Sequence, residues 1–230
     1  LGHSISNLTI NRPSTSYVGL FGATGSTSTI RNVGLVNANV IGNKSVGALV
    51  GGAAGTINSS YATGMVSGSR FIGGLLGSNF GTVSNSYAIG NVNGSNFAGG
   101  LVGFQSQGGT LSNSYATSSV SVTKGNTEVG GLLGLSDSTT SNSYWNTTTS
   151  GQVTSAGGLG LNTTQMQQQS SFSGFDFDNI WAIYEGHTNP LLRAFLKPLT
   201  VTVNDVTKTY DGLAYNGIGS ASYSSTPDTN

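Results

Sequence analysis

Residues 72–90 read IGGLLGSNFGTVSNSYAIG. Short apolar runs alternate with glycine, serine and asparagine, and along TVSNSYA (82–88) the pattern has the period of two of an extended strand. That period places Val83, Asn85 and Tyr87 on one face and Ser84 and Ser86 on the other.

Working outward, both halves of this stretch recur. YVGLFG (17–22), VGALVG (46–51), IGGLLG (72–77), AGGLVG (98–103) and VGGLLG (129–134) repeat the first half. Their central leucines, Leu20, Leu49, Leu75, Leu101 and Leu132, are 29, 26, 26 and 31 residues apart. TINSSYATG (56–64), TVSNSYAIG (82–90), TLSNSYATS (110–118) and TTSNSYWNT (139–147) repeat the second half, and TIRNVGLVN (29–37) is a divergent copy. No such unit can bury its own apolar face, so the copies must stack, at about 4.8 Å per rung. Glycine density is prohibitive for helices. The repeats therefore predict an all-β chain folded as a right-handed parallel β-helix, a β-solenoid of about five coils of roughly 26 residues. Extra residues between Leu101 and Leu132, SQGG (106–109) and TKGNTE (123–128), read as surface loops, either tolerated drift or binding loops.

Composition narrows the function. Only 7% of residues are charged, there are 36 glycines, and eight Lys and Arg balance eight Asp and Glu. Zero net charge offers no long-range field for nucleic acid or anionic membranes. No stretch approaches the ~20 apolar residues of a membrane helix, so no membrane insertion is expected. The absence of cysteine removes thiol catalysis, Fe–S clusters and thiolate zinc sites. The start at Leu1, with no visible signal peptide, reads as a processed chain or an internal piece.

The pattern changes after residue 160. Asn162 or Thr163 is placed to cap a short helix over 163–169, and 175–195 gathers aromatic and apolar bulk. An open solenoid end exposes strand edges that aggregate unless covered, so 161–197 is read as a C-terminal cap on repeats spanning 1–160. Residues 198–230, beginning at Pro198, carry an alternating strand and an Asp211-Gly212 turn, too little for an independent core.

Parallel β-helices also carry polysaccharide-cleaving enzymes, whose chemistry needs paired carboxylates or a carboxylate-held metal. The carboxylates here are Glu128, Asp137, Asp176, Asp178, Glu185, Asp205, Asp211 and Asp228, so residues 1–127 hold none. Asp176, Asp178, Glu185 and His187 make the one cluster, read as turn and cap groups rather than a catalytic or cation site. No catalytic, cofactor or metal residue is assigned, and the chain is not expected to be an enzyme. Tyr61, Tyr87, Tyr115 and Tyr144 form a column that is either an exposed ladder for sugar rings or part of the core. Asn85, Asn113 and Asn142 read as a buried amide ladder.

The GGLVG and NSYATG repeats resemble the GLUG motif of large bacterial surface proteins. LGHSISNLTINRPSTSYVGLFG (1–22) resembles the lead-in to those repeats in filamentous-haemagglutinin-type exoproteins. WAIYEGHTNPLLRAF (181–195) resembles their closing segment, and LTVTVNDVTKTYDGLAYNG (199–217) the start of an MBG (YDG-type) domain. The resemblance implies two-partner secretion, an extracellular place on the bacterial cell surface, and a role in adhesion or biofilm. The family's NPxG-type secretion motif is missing, since Asn189-Pro190 is followed by Leu191. Two function classes follow: an adhesin or matrix rod whose loops bind carbohydrate or a host or bacterial surface, and a filament subunit that polymerises end to end. The second would join through solenoid ends or a donated strand at 199–206.

Overall fold

The computed structural model describes residues 2–123, 128–197, 201–203, 212 and 221–223. They form two compact units, Leu1–Phe195 and Leu196–Asn230. The first is a β-solenoid of about five coils made of stacked parallel strands. The tyrosine sheet runs through Val33–Ile41, Tyr61–Ser67, Tyr87–Gly94, Tyr115–Ala116 and Tyr144–Asn146. A basic sheet holds Lys44–Gly47, Arg70–Gly73, Asn96–Gly99 and Val129–Gly130. A third sheet holds Phe21–Thr24, Val50–Ala53, Leu76–Asn79, Val102–Gln105 and Leu133–Ser136. A threonine sheet holds Thr29–Arg31, Thr56–Asn58, Thr82–Ser84, Thr110–Ser112 and Thr140–Ser141.

Register keeps like residues in columns. Ile57, Val83 and Leu111 align in one, Tyr61, Tyr87, Tyr115 and Tyr144 in another. Leu49, Leu75, Leu101 and Leu132 are fully buried in the core, while Leu20 in the first coil is partly buried against it. The carbonyl of each later corner leucine accepts two N–H groups from the preceding coil: Leu75 O takes Leu49 and Val50, and Leu101 O takes Leu75 and Leu76. An interior cavity of about 10 Å³, bounded by Ala48, Gly74, Val92 and Ser118, has room for about one water.

The second corner of each coil corrects the period-two reading of TVSNSYA. Asn32, Ser59, Asn85, Asn113 and Asn142 all have positive φ, between 43° and 54°. This left-handed residue turns the chain, so Val83 faces the core while Tyr87 faces outward. Asparagine tolerates that conformation better than most residues. The Asn column is therefore a row of corners that is buried at Asn85, partly buried at Asn113 and exposed at Asn142, so it is a buried ladder only in part.

The serine after each corner completes it. Ser114 Oγ accepts the Ser86 N–H at 3.1 Å and donates to Ser112 O at 2.7 Å. Ser60, Ser86 and Ser143 do the same, taking the N–H of Val33, Ser60 and Ser114. A backbone donor that the turn has moved away from any carbonyl is thereby satisfied inside the wall. Glycine is needed where a tyrosine-sheet strand bends: Gly90 has φ 142°, and a Cβ there would lie 1.8 Å from Gly64 O.

The end cap lies earlier than residues 161–197. Trp145 stands in the column of Ala62, Ala88 and Ala116, and its ring lies where a Cβ on Gly131 would be, 1.8 Å from Cδ1. Asn146 caps the short helix Thr147–Ser150, after which Thr154 O and Ser155 Oγ take the N–H groups of Gly131, Leu132 and Leu133. Leu159–Leu161 then pairs with Tyr144–Asn146. Residues 145–161 thus close the last coil, and the aromatic segment beyond them lies along the side of the solenoid instead. Asn162, rather than Thr163, caps the helix Thr163–Met166.

In the second unit, Val201–Val203 pairs antiparallel with Ala221–Tyr223. Most of the stretch resembling an MBG domain, including Asp211, lies outside the described residues.

Leu101→Ala is expected to lose about 2–5 kcal/mol in urea denaturation, as a fully buried leucine does. Ser114→Ala, which strands the buried Ser86 N–H while Ser112 O keeps the Asn85 N–H, should lose about 1–3 kcal/mol. A change below about 0.5 kcal/mol in either would contradict the assigned register.

Candidate functional site

The tyrosine column is buried, but from outside. Tyr61, Tyr87 and Tyr115 stack with ring centroids 4.9 and 5.0 Å apart and nearly parallel planes. Residues 161–195 roof them. Trp181 packs on Tyr87 and Tyr115, Phe172 and Phe175 on Tyr144, and Phe195 edge-on at 4.7 Å against Tyr61. Tyr115 Oη donates to Pro190 O at 2.7 Å and Tyr144 Oη to Ser173 O at 3.1 Å. The column ends where Gly34 occupies the tyrosine position, because the Tyr61 ring lies over it. Burial raises the hydroxyl pKa of Tyr61, Tyr87, Tyr115 and Tyr144 above the ordinary value, most strongly at Tyr87 and Tyr115, where a neighbouring tyrosine adds to the effect. Tyr87, Tyr115 and Tyr144 are buried and Tyr61 is partly covered, so the column does not present an open ladder to a ligand.

The carboxylate cluster resolves into turns. Asp176 accepts from the Asn179 side chain and from the backbone of Asp178 and Asn179, and these bonds lower its pKa, the Asn179 side chain foremost. Glu185 accepts the Gln169 N–H at 2.9 Å, and His187 stacks on Tyr184. Among the described residues no three His, Cys, Asp or Glu side chains come together. Of the two inserted loops, 106–109 closes through Gly109 N–H to Ser106 O, while Lys124–Thr127 lies outside the described residues.

The exposed feature is a different column. At the corner entering the basic sheet, Tyr17, Ser45, Phe71 and Phe97 occupy equivalent positions with φ of 58°, 52°, 58° and 53°. Each side chain whose contacts are resolved meets the outward residue of the third sheet one coil on. Tyr17 lies over Gly52, Ser45 Oγ is 2.9 Å from Ser78 Oγ, and Phe71 packs on Phe104 at 5.1 Å. Phe71 also packs on Phe97 at 5.2 Å, and exposed Phe80 meets Phe104 edge-on. The Arg70 guanidinium lies 4.6 Å from the Phe71 ring centre and 5.0 Å from that of Phe97. Phe71, Phe97 and Phe104 are half-buried, whereas Phe80 is 43% and Tyr17 50% exposed.

Two features of this face oppose stability. A left-handed conformation costs a side-chain-bearing residue about 1–2 kcal/mol, and this corner holds phenylalanine where the other corner uses asparagine. Arg70 also sits in register with Lys44, a like-charge pair across adjacent strands. Its neighbour on the other side is Asn96, and Glu128 follows Phe97 in the next coil. Sequence reading missed the face because it tracked the leucine and tyrosine columns. The signal was the residue preceding each Val-Gly, Ile-Gly or Ala-Gly pair.

No family model matches the chain. A 65-residue stretch, 28% of the chain, is 46% identical to 1% of halomucin from Haloquadratum walsbyi. A stretch of 82 residues, 33% of the chain, is 37% identical to 9% of the "Putative Gly-rich membrane protein" of Evansella cellulosilytica. The chain thus spans a small part of either relative. A "putative immunoglobulin A1 protease" from Bacteroides ovatus superposes with a TM-score of 0.62 at 21% identity, over 84% of this chain and 75% of that one, a likeness of fold alone. Among the described residues no helix is long and apolar enough to cross a membrane.

The roofed tyrosines set an alkaline limit. A raised folded-state pKa means that the unfolded chain releases these protons first, so their contribution is full below pH ~10 and is lost as pH rises through the folded values. Absorbance at 295 nm should show the column ionising together with loss of circular dichroism above pH ~10. Ionisation of every tyrosine while the fold persists would contradict the burial.

Proposed function

We propose that the chain is an extracellular segment of a bacterial surface adhesin or biofilm-matrix protein, a β-solenoid rod that binds carbohydrate or a cell surface without catalysis. The observation that carries this reading is the outer aromatic group of exposed Tyr17 and Phe80 and half-buried Phe71, Phe97 and Phe104, held partly in an unfavoured backbone conformation. Strained residues cluster where function retains them. The neutral, hydroxyl-rich surface suits an exported rod, and the GLUG-like repeats favour a two-partner-secreted exoprotein. The Evansella relative, named as a membrane protein, supports a place at the cell envelope.

The filament reading is less favoured. Trp145 and residues 154–161 cover the C-terminal end of the coil stack, and Val201–Val203 already pairs with Ala221–Tyr223. Joining through the solenoid end would have to displace a made contact.

Sedimentation velocity is expected to find a monomer across a wide concentration range, and a glycan array is expected to score hits. Filaments by negative stain would replace this reading with self-assembly. An array without hits, on a sample with native circular dichroism, would count against sugar binding.

A further inference from the structure

We propose that the face formed by Lys44, Arg70, Phe71, Phe97 and Phe104 binds an acidic polysaccharide. Sugar-ring C–H faces would lie on the phenyl rings, with a carboxylate or sulfate on the Arg70 guanidinium. This rests on the carbohydrate-binding reading above and names the ligand class.

Three observations point to that ligand. The rings of Phe71, Phe97 and Phe104, centred 5.1 and 5.2 Å apart with tilts of 30° and 35°, pack on one another as one continuous apolar cluster larger than a single ring. The outer surface of such a cluster suits the apolar face of a sugar, and it leaves no slot between the rings for a base to enter. The guanidinium lies over two of the rings, so its donors sit beside the surface the sugar would cover. A planar guanidinium matches carboxylate and sulfate oxygens in bidentate fashion.

Charge gives the third argument. Residues 1–127 carry Arg12, Arg31, Lys44, Arg70 and Lys124 with no Asp or Glu, although the whole chain balances to zero. Lys44 and Arg70 are adjacent in register, and their repulsion is relieved by an anion bridging both. Asparagine at the equivalent position, Asn96, shows that the strand does not require a cation there. In the neighbouring ring column Glu128, the first carboxylate of the chain, follows Phe97, so the positive part is confined to the coils of Lys44 and Arg70. Two cations are too few to track a nucleic-acid backbone, whose binding scales with the number of phosphates neutralised.

Affinity electrophoresis of the full chain through gels containing polygalacturonate, dextran sulfate, neutral dextran or oligo(dT) tests this. Retention is expected on at least one acidic polysaccharide, weakened by 0.5 M NaCl as screening requires. Retention on polygalacturonate alone would identify carboxylate, and on dextran sulfate alone sulfate. Arg70→Gln should weaken retention by about tenfold, the effect of losing one charge-assisted contact. Phe71→Asn with Phe97→Asn should weaken it comparably while keeping the fold, because asparagine accepts the left-handed corner. Glu128→Gln should strengthen retention, a gain that no folding defect would mimic. Dextran retained as well as the acidic polymers would leave carbohydrate binding standing and overturn the acidic preference. Tighter retention by oligo(dT), or unchanged retention in the Arg70 and Phe variants, would overturn the assignment of this face. No retention on any polysaccharide by natively folded chain would overturn both readings.

Discussion

A stacked coil satisfies its backbone easily along the straight strands and with difficulty at the turns, where a donor swings away from the carbonyl above it. The solenoid meets this constraint twice per coil. At the leucine corner one carbonyl takes two donors, as Leu101 O does for Leu75 and Leu76. At the asparagine corner a serine hydroxyl replaces the absent carbonyl and returns its own proton to the residue two before it, as Ser86 and Ser114 do. An unpaired buried amide costs about 1–3 kcal/mol, so repeated corners left unsatisfied would consume the 5–15 kcal/mol by which a domain is typically stable.

The same stacking dictates where the rod must stop. Each inward column needs a similar side chain in every coil, since the coils repeat at a fixed rise. A large residue in a small column ends the series: Trp145 fills the alanine column and occupies the space above Gly131. Gly34 is the opposite case, an emptied position on the outer face that lets Tyr61 lie flat and the ring stack finish. Because the tyrosine stack leaves one long aromatic edge outside the coil, it must be roofed, and residues 161–195 supply the roof with Phe172, Phe175, Trp181 and Phe195.

Sequence disclosed the coil count, the leucine columns and the strand direction, because these follow from spacing alone. It misplaced the face of Tyr87, because period two assumes an unbroken strand and the left-handed turn at Asn85 breaks it. The tetrad Asn-Ser-Tyr-Trp at 142–145 contained the end of the solenoid in one substitution, Trp for Ala, which read as a further copy of the repeat. The aromatic and basic face was least legible. Its members come from two segments of the repeat in successive coils, Arg70, Phe71 and Phe97 from the corner and Phe104 from the third sheet, and only the offset of one coil between the two brings Phe104 onto Phe71.

That offset separates structural aromatics from available ones. Tyr87 and Tyr115 have neighbours above, below and over them, so their burial offsets the cost of ordering them and nothing further is needed to explain their presence. Phe71 and Phe97 remain half-buried despite their contacts with each other and Arg70, and they sit in a conformation that asparagine or glycine would adopt with less strain. Ser45 shows that the corner itself does not demand a ring. Hydrophobic burial accounts for the first set. For the second it accounts only in part, and the polysaccharide proposed above would supply the remainder by covering the exposed part of the rings and the Arg70 guanidinium beside them.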